Sequence, residues 1–391
     1  MRYEPVASIQ PNVLRWARQT VGLDVEEVAH RLKRSPAEIE AWENGTTAPT
    51  YPQLEKLAYQ IYKRPLAIFF LPEPPEETLP QKEFRTLPDV DFQSLQHDTY
   101  LQIRRAHAYQ LALHELFDGQ NPTNQQIWKT VLLSHSKDIA AQAKTIRQYL
   151  GITLEMQVTW KTAEHALRVW RKSIEDCGVF IFKAAFKQKD ISGFCLIDDN
   201  LPLIYLNNGT TKTRQIFSLL HELAHLLFSI NGLSKFETTY IDQLPIQQRS
   251  IERFCNSIAA DVLIPEQDFA DQIKQLPDNA EYASEEQFSA LAGRYGVSRE
   301  TVLRRLLDRG RVGPAFYQQK AKFWAAQRKE TSGVGNWYRN QGAYISSRFA
   351  REVISRHYRN QISLEHASEL LGIKPKSYAG FEESLLQGIE V

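Results

Sequence analysis

Two histidines flank a glutamate in His221-Glu222-Leu-Ala-His225. On a helix the four-residue spacing puts both imidazoles on one face. Two imidazoles one turn apart suit two corners of a tetrahedral zinc site, and the adjacent Glu222 carboxylate can hold the metal's water and take its proton. Ile216, Leu220, Leu223, Leu227 and Ile230 form an apolar stripe, so a helix is expected over 213–230 with that stripe on a core and the histidines pointing away from it. A third ligand is needed. In the segment Ile251-Glu-Arg-Phe-Cys-Asn-Ser-Ile-Ala-Ala-Asp261, the residues Ile251, Phe254, Ile258 and Val262 define a packed face, while Glu252 and Asn256 share a neighbouring one. Asp261 lies about 180° round the helix from Glu252, so the two acids cannot both face a metal, and Glu252 is the expected ligand. A metallopeptidase also needs a group to balance charge on its tetrahedral intermediate; Tyr240, Tyr282 and Arg249 are the candidates. Cys255 falls toward the packed face and reads as a small buried residue.

These residues must be positioned by a larger framework. The chain has 391 residues, beyond the length at which one core usually stops growing, so two or three domains are expected. Its 47 Lys and Arg balance 46 Asp and Glu, so any nucleic-acid surface has to be local. Three scattered cysteines, Cys177, Cys195 and Cys255, exclude a disulfide framework and a thiolate zinc pair, and fit a reducing cytoplasm. No stretch reads as a bilayer span.

A helical segment from Pro11 to Phe70 is closed by Leu71-Pro-Glu-Pro-Pro-Glu-Glu77, with a fourth proline at Pro80. Helical periods return from Tyr100 to Arg171. Between Gly178 and Asn208 three short β-rich runs, 179–182, 191–197 and 203–206, predict a small antiparallel sheet. Further helices are expected over 250–263, 284–295 and 298–308, and a break at Gly310 to Pro314 precedes a helical tail. The expected fold class is mainly α with a small antiparallel β-sheet (α+β), divided as 1–75, 76–310 and 311–391. No internal repeat is evident.

The head, from Leu14-Arg-Trp-Ala-Arg through Trp42-Glu-Asn-Gly45 to Leu54-Glu-Lys-Leu-Ala58, resembles the Xre-type helix-turn-helix family. Leu14, Val28, Ala29, Leu32, Ile39, Trp42, Leu54 and Leu57 are its expected core, Asp24 and Ser35 its helix caps, and Gly45 the end of the third helix. Such a module implies operator DNA as a partner, bound as a homodimer. Arg15, Arg18, Lys33 and Arg34 are the candidate phosphate contacts. The recognition helix, however, offers Pro36, Ala37, Glu38, Glu40 and Glu43 where base readers usually carry Arg, Lys, Asn or Gln. A dimerisation or protein-docking use is the alternative.

The metal segment and its follower, Leu219-Leu-His-Glu-Leu-Ala-His-Leu226 and Glu252-x-x-x-Asn256-x-x-Ala-Ala-x-x-Leu-Ile-Pro265, resemble the ImmA/IrrE metallopeptidases over roughly 179–307. The resemblance implies a gluzincin-like core with Zn2+ on His221, His225 and Glu252, Glu222 as catalytic base and Asn256 as support behind the ligands. It also implies a protein substrate of the Xre-repressor kind. Ser218 stands where the family usually has Thr, and Phe254-Cys255 where Glu-Ala is frequent.

From Arg311 to Asn360 ten basic residues face two acids, Glu330 and Glu352, with aromatics interleaved among them, including Trp337, Tyr338 and Phe349. That composition suits nucleic acid or an acidic polypeptide, although Ile345, Phe349 and Val353 with Tyr358 also form a core-facing stripe. Head, body and tail together are similar to antitoxin-like proteins beside PIN-type toxins, which implies a toxin partner for the tail. The expected activity is zinc-dependent endoproteolysis controlling transcription. The alternative is a DNA-binding regulator or antitoxin with a structural or sensory zinc.

Overall fold

The computed structural model describes residues 4–77, 83–84, 95–235, 238–326, 342 and 344–387. Pro80 and the tail residues Arg328, Lys329, Glu330, Trp337, Tyr338 and Arg339 lie outside them. The chain divides into two units, Met1–Arg105 with Phe186–Gln188, and Ala106–Ala185 with Lys189–Val391.

In the first unit, α1 (Pro11–Gln19), α2 (Val25–Leu32), α3 (Pro36–Glu43) and α4 (Tyr51–Glu55) follow one another, and α4 runs on into a wider π-helical turn, Lys56–Tyr62. The local chemistry sets the boundaries. Asp24 caps α2 by accepting from the Glu27 amide, the Glu27 carboxylate accepts in turn from the Asp24 amide, and Ser35 caps α3. Lys33 ends α2 in the left-handed region at φ 58°, and Gly45 takes φ 75° after α3. All eight expected core residues are buried, joined by Val13, Ala17, Val21 and Phe69. This is a helix-turn-helix built on a continuous apolar centre.

The second unit is assembled around α8. Its helices are the later part of α5 (His97–Leu116), then α6 (Ile139–Leu150) and α7 (Ala163–Asp176); strands β1 (Phe180–Ala184), β2 (Ile191–Leu196) and β3 (Leu203–Asn207) precede α8 (Lys212–Leu227). After it come β4 (Leu233–Lys235), α9 (Ile246–Leu263), α10 (Glu285–Tyr295), α11 (Arg299–Asp308), α12 (Pro314–Ala326), α13 (Ser347–Tyr358), α14 (Leu364–Leu370) and α15 (Tyr378–Gln387). Mainly α with one small sheet is therefore correct as a class. The sheet is not antiparallel throughout.

Its order is β1-β3-β2-β4, with β3 antiparallel to β2 and parallel to β1, Phe180 opposite Leu203 and Ala184 opposite Asn207. The reason is topological. The chain leaves β1, reverses through the short link from Ala184 to Ile191 to lay down β2 one strand position away, and returns with β3 in the gap; β2 opposes β1, so β3, opposing β2, runs with β1. Short β-rich runs carry no record of such a skip.

Every residue of β1, β2 and β3 is buried, because helices cover both faces. On one face Ile181, Cys195, Ile204 and Leu206 join the core of α6 to α12. On the other, Phe182 stacks on Tyr109 of α5 at 4.2 Å and meets Phe349 of α13 edge-on at 5.5 Å. Phe349 is thus core, with Ile345 and Val353 buried beside it, but Tyr358, expected on the same stripe, is exposed, because it sits at the last position of α13, and Phe323 is exposed too. Trp324 of α12 is buried, its indole N–H donating to Glu285, which Lys320 and Arg299 also hold. Among the described residues no helix is long and apolar enough to cross a membrane.

Candidate metal centre

The helix α8 starts at Thr211, which caps the Arg214 amide. The expectation of a single packed face is too modest, since α8 is buried at nearly every position from Gln215 to Leu227, with the sheet, α7 and α9 packed around it. His221, Glu222 and His225 are therefore held inside the protein. α9 brings Glu252 to the same place, fully buried, while its apolar face of Ile251, Phe254, Ile258 and Val262 packs as expected. Asp261 lies elsewhere and pairs with Arg305, as the half-turn argument requires.

His221 Nε2 lies 3.0 Å from His225 Nε2. Glu252 completes the triangle, with Oε2 at 3.4 Å from the first imidazole and Oε1 at 3.1 Å from the second. Donors about 2.0–2.1 Å from a tetrahedral ion stand roughly 3.3–3.4 Å from one another, so the three groups fit the edges of such a site. A buried acid with two imidazoles converging on it could hold a metal ion. The orphaned atoms agree: among the described residues neither Glu222 oxygen nor His221 Nδ1 has a hydrogen-bond partner of good geometry, and Glu252 Oε1 faces the His225 ring without one.

The electrostatics are those of an inward-facing charge cluster. Burial opposes ionisation of Glu252, but the facing His225 and His221 overcome it and hold the carboxyl down at about 2. Burial raises the Glu222 carboxyl above its ordinary range, with the two imidazoles pulling the other way. That places it nearer the strength a general base needs at neutral pH.

Tyr240, the first of the three stabiliser candidates, donates its hydroxyl to Glu252 Oε2 at 2.9 Å, so it orients that carboxylate. Tyr282 is largely exposed, and Arg249 donates to the carbonyls of Asp242 and Leu244. Asn256 is half-buried and makes no side-chain hydrogen bond among the described residues. Behind His225 stands Cys255 instead, its Sγ 3.7 Å from Nδ1.

Two neighbours escape sequence reasoning. Ser234 of β4 places Oγ 3.1 Å from His221 Nε2. Gly232 precedes it, and a Cβ there would stand 2.7 Å from the His225 ring and 2.9 Å from Glu222 Oε2. Only a glycine lets the backbone pass so close. A glycine five residues after a helix end has no legible meaning until the strand is seen against the helix. We expect Gly232→Ala to weaken metal binding about tenfold or more by displacing His225. Chelator competition on protein with unchanged helical content checks this, and unaltered affinity would show that the ring can yield.

In the head, Arg18 donates to both Glu43 oxygens at 2.7 and 2.8 Å and to the Leu23 carbonyl. This pairing with the buried Glu43 raises its pKa. Arg15 donates to the Glu43 carbonyl and to Asn44, while Lys33 and Arg34 are exposed, Arg34 lying 3.8 Å from Glu38. Two of the four candidate phosphate contacts are thus engaged within the module.

Two segments of the chain match known families. Residues 174–307 match the peptidase M78 family, described as the IrrE N-terminal-like domain. Residues 12–59 match a helix-turn-helix domain. No curated protein matches the chain. The first match covers β1 to α11 and both metal-facing helices, giving that segment a peptidase-like fold; the second covers α1 to α4 of the head.

Proposed function

We propose that this protein is a zinc-dependent endopeptidase whose cleavage of a helix-turn-helix repressor, or a related protein, controls transcription. The observation that carries the reading is the convergence of two imidazoles and a carboxylate at tetrahedral spacing, with a further buried carboxylate, Glu222, beside them. The residues proposed to hold zinc are His221, His225 and Glu252. Zinc bound there supplies a Lewis acid that acidifies water and polarises a carbonyl oxygen. Glu222 accepts the proton from the attacking water and delivers it to the leaving amine. Tyr240 keeps Glu252 in its ligating orientation, and Cys255 does the same for His225. The head supplies a module of a DNA-binding kind, consistent with control of transcription.

A second reading has one observation in its favour. His221, Glu222, His225 and Glu252 are all buried, and a closed site of this kind suits a structural or sensory metal. Incubation of the zinc-loaded chain with candidate helix-turn-helix repressors separates the two. Cleavage that stops on chelation and returns with zinc is the expected result; stoichiometric metal without any cleavage favours the regulator.

A further inference from the structure

The tail contains the head's helix-turn-helix a second time. The cap, core and turn positions of the head's second and third helices recur at one constant offset along the chain, whereas Val13 and Ala17 of α1 fall on Glu352 and Arg356. The cap Asp24, bonded to the Glu27 amide, corresponds to the cap Ser363, bonded to the His366 amide. Buried Val28, Ala29 and Leu32 correspond to buried Ala367, Ser368 and Leu371, and Ile39 and Trp42 to Tyr378 and Phe381. The turn recurs too. Lys33 at φ 58° becomes Gly372 at φ 64°. The Arg34 amide donates to the Ala29 carbonyl at 2.9 Å, and Ile373 donates to Ser368 at 2.9 Å. Pro36 then opens α3, and Pro375 opens a 3₁₀ turn, Pro375–Ser377, that runs on into α15. α13 precedes the tail pair as α1 precedes the head pair, burying Phe349, Ala350 and Val353.

The scaffold is shared, but the charge at the start of the second helix is reversed. Where the head shows Ser35, Ala37, Glu38 and Glu40, the tail shows Lys374, Lys376, Ser377 and Ala379. Lys374 and Lys376 are both exposed. In a helix-turn-helix these positions start the helix that enters the major groove, where base edges and flanking phosphates are met. A head with acids there repels the duplex, whereas the start of the tail's second helix offers two ammonium groups, the four acids of the same pair, Glu365, Glu369, Glu382 and Glu383, lying on α14 and further along α15.

We propose that residues 363–387 form a second helix-turn-helix that binds duplex DNA, with Lys374 and Lys376 at the groove. The partner follows from the pairing of groove-entering geometry with positive charge; an acidic protein would need only the charge. This site does not depend on the peptidase reading, because its readout is DNA retention rather than cleavage.

The test uses the full chain and a random-sequence duplex DNA pool, with retained duplexes re-measured across a salt series. Lys374→Glu and Lys376→Glu should each lower affinity roughly tenfold or more and reduce the salt slope by about 1, whereas Lys33→Glu with Arg34→Glu in the head should leave affinity nearly unchanged. Should charge reversal disturb folding, Lys374→Gln with Lys376→Gln must still lower the slope. Failure of the wild-type chain to retain duplex overturns the proposal. So does loss of binding through the head variant alone, or preferential retention of single-stranded RNA or an acidic polypeptide.

Discussion

Replacing Glu222 by Gln should abolish peptide cleavage while leaving the metal content unchanged. General base catalysis typically contributes 10²–10⁴-fold, about 3–5 kcal/mol of barrier, and an amide of the same shape can neither accept the water's proton nor return it to the amine. The metal should stay because the three groups at tetrahedral spacing are His221, His225 and Glu252, none of which is altered. Packing should survive as well. Both Glu222 oxygens lie buried, a hydrogen bond from the neighbouring Ser234 hydroxyl can still be accepted by an amide oxygen, and the substitution removes a carboxylate whose ionisation burial already opposes. Metal stoichiometry and single-turnover cleavage on the same preparation check the prediction. Undiminished cleavage would place the base elsewhere, and a variant that loses metal would make Glu222 a ligand.

What could be seen in the sequence was whatever depends on spacing within one element. The four-residue step from His221 to His225 needs only a helix. The choice of Glu252 over Asp261 needs only the helical angle, and Asp261 does pair elsewhere, with Arg305. What remained hidden depends on contacts between elements. Gly232 and Ser234 matter because β4 passes against α8, and no local pattern records that approach. The parallel pairing of β1 with β3 reflects the order in which strands enter the sheet. The tail's likeness to the head was hidden for another reason. Asp24 and Ser363, Val28 and Ala367, Trp42 and Phe381 are equivalent as caps or core but differ in identity, and only backbone geometry aligns them.

Lys183 of β1 carries the other large expected effect, this time on stability. Its position between Phe182 and Ala184 puts it on the sheet face opposite the Phe182 and Tyr109 rings, and the side chain is buried. Its polar contact there is a long one, Nζ to Gln215 Oε1 at 3.4 Å. Burial, reinforced by the positive charges of Arg171 and Lys212, lowers its pKa from 10.5 to about 7. Below that value the ammonium is charged in both states but poorly solvated in the folded one, so the whole cost falls on the native protein. Between about 7 and 10.5 the unfolded chain binds the extra proton, so this residue makes stability rise with pH, and above that range the penalty has vanished. A shift of this size corresponds to an upper bound of about 5 kcal/mol. Lys183→Met keeps the length of the stem and removes the charge, at the small cost of one long hydrogen bond. It should therefore stabilise the protein by roughly 2–4 kcal/mol below neutral pH, and the gain should shrink steadily as the solution is made alkaline. Urea titrations of both proteins at an acidic and an alkaline pH measure this directly. A gain equal at the two pH values would mean that packing, not charge, is responsible; a loss of stability at acidic pH would mean that the ammonium is better satisfied by Gln215 and the carboxylates of Glu164 and Glu175 than its burial implies.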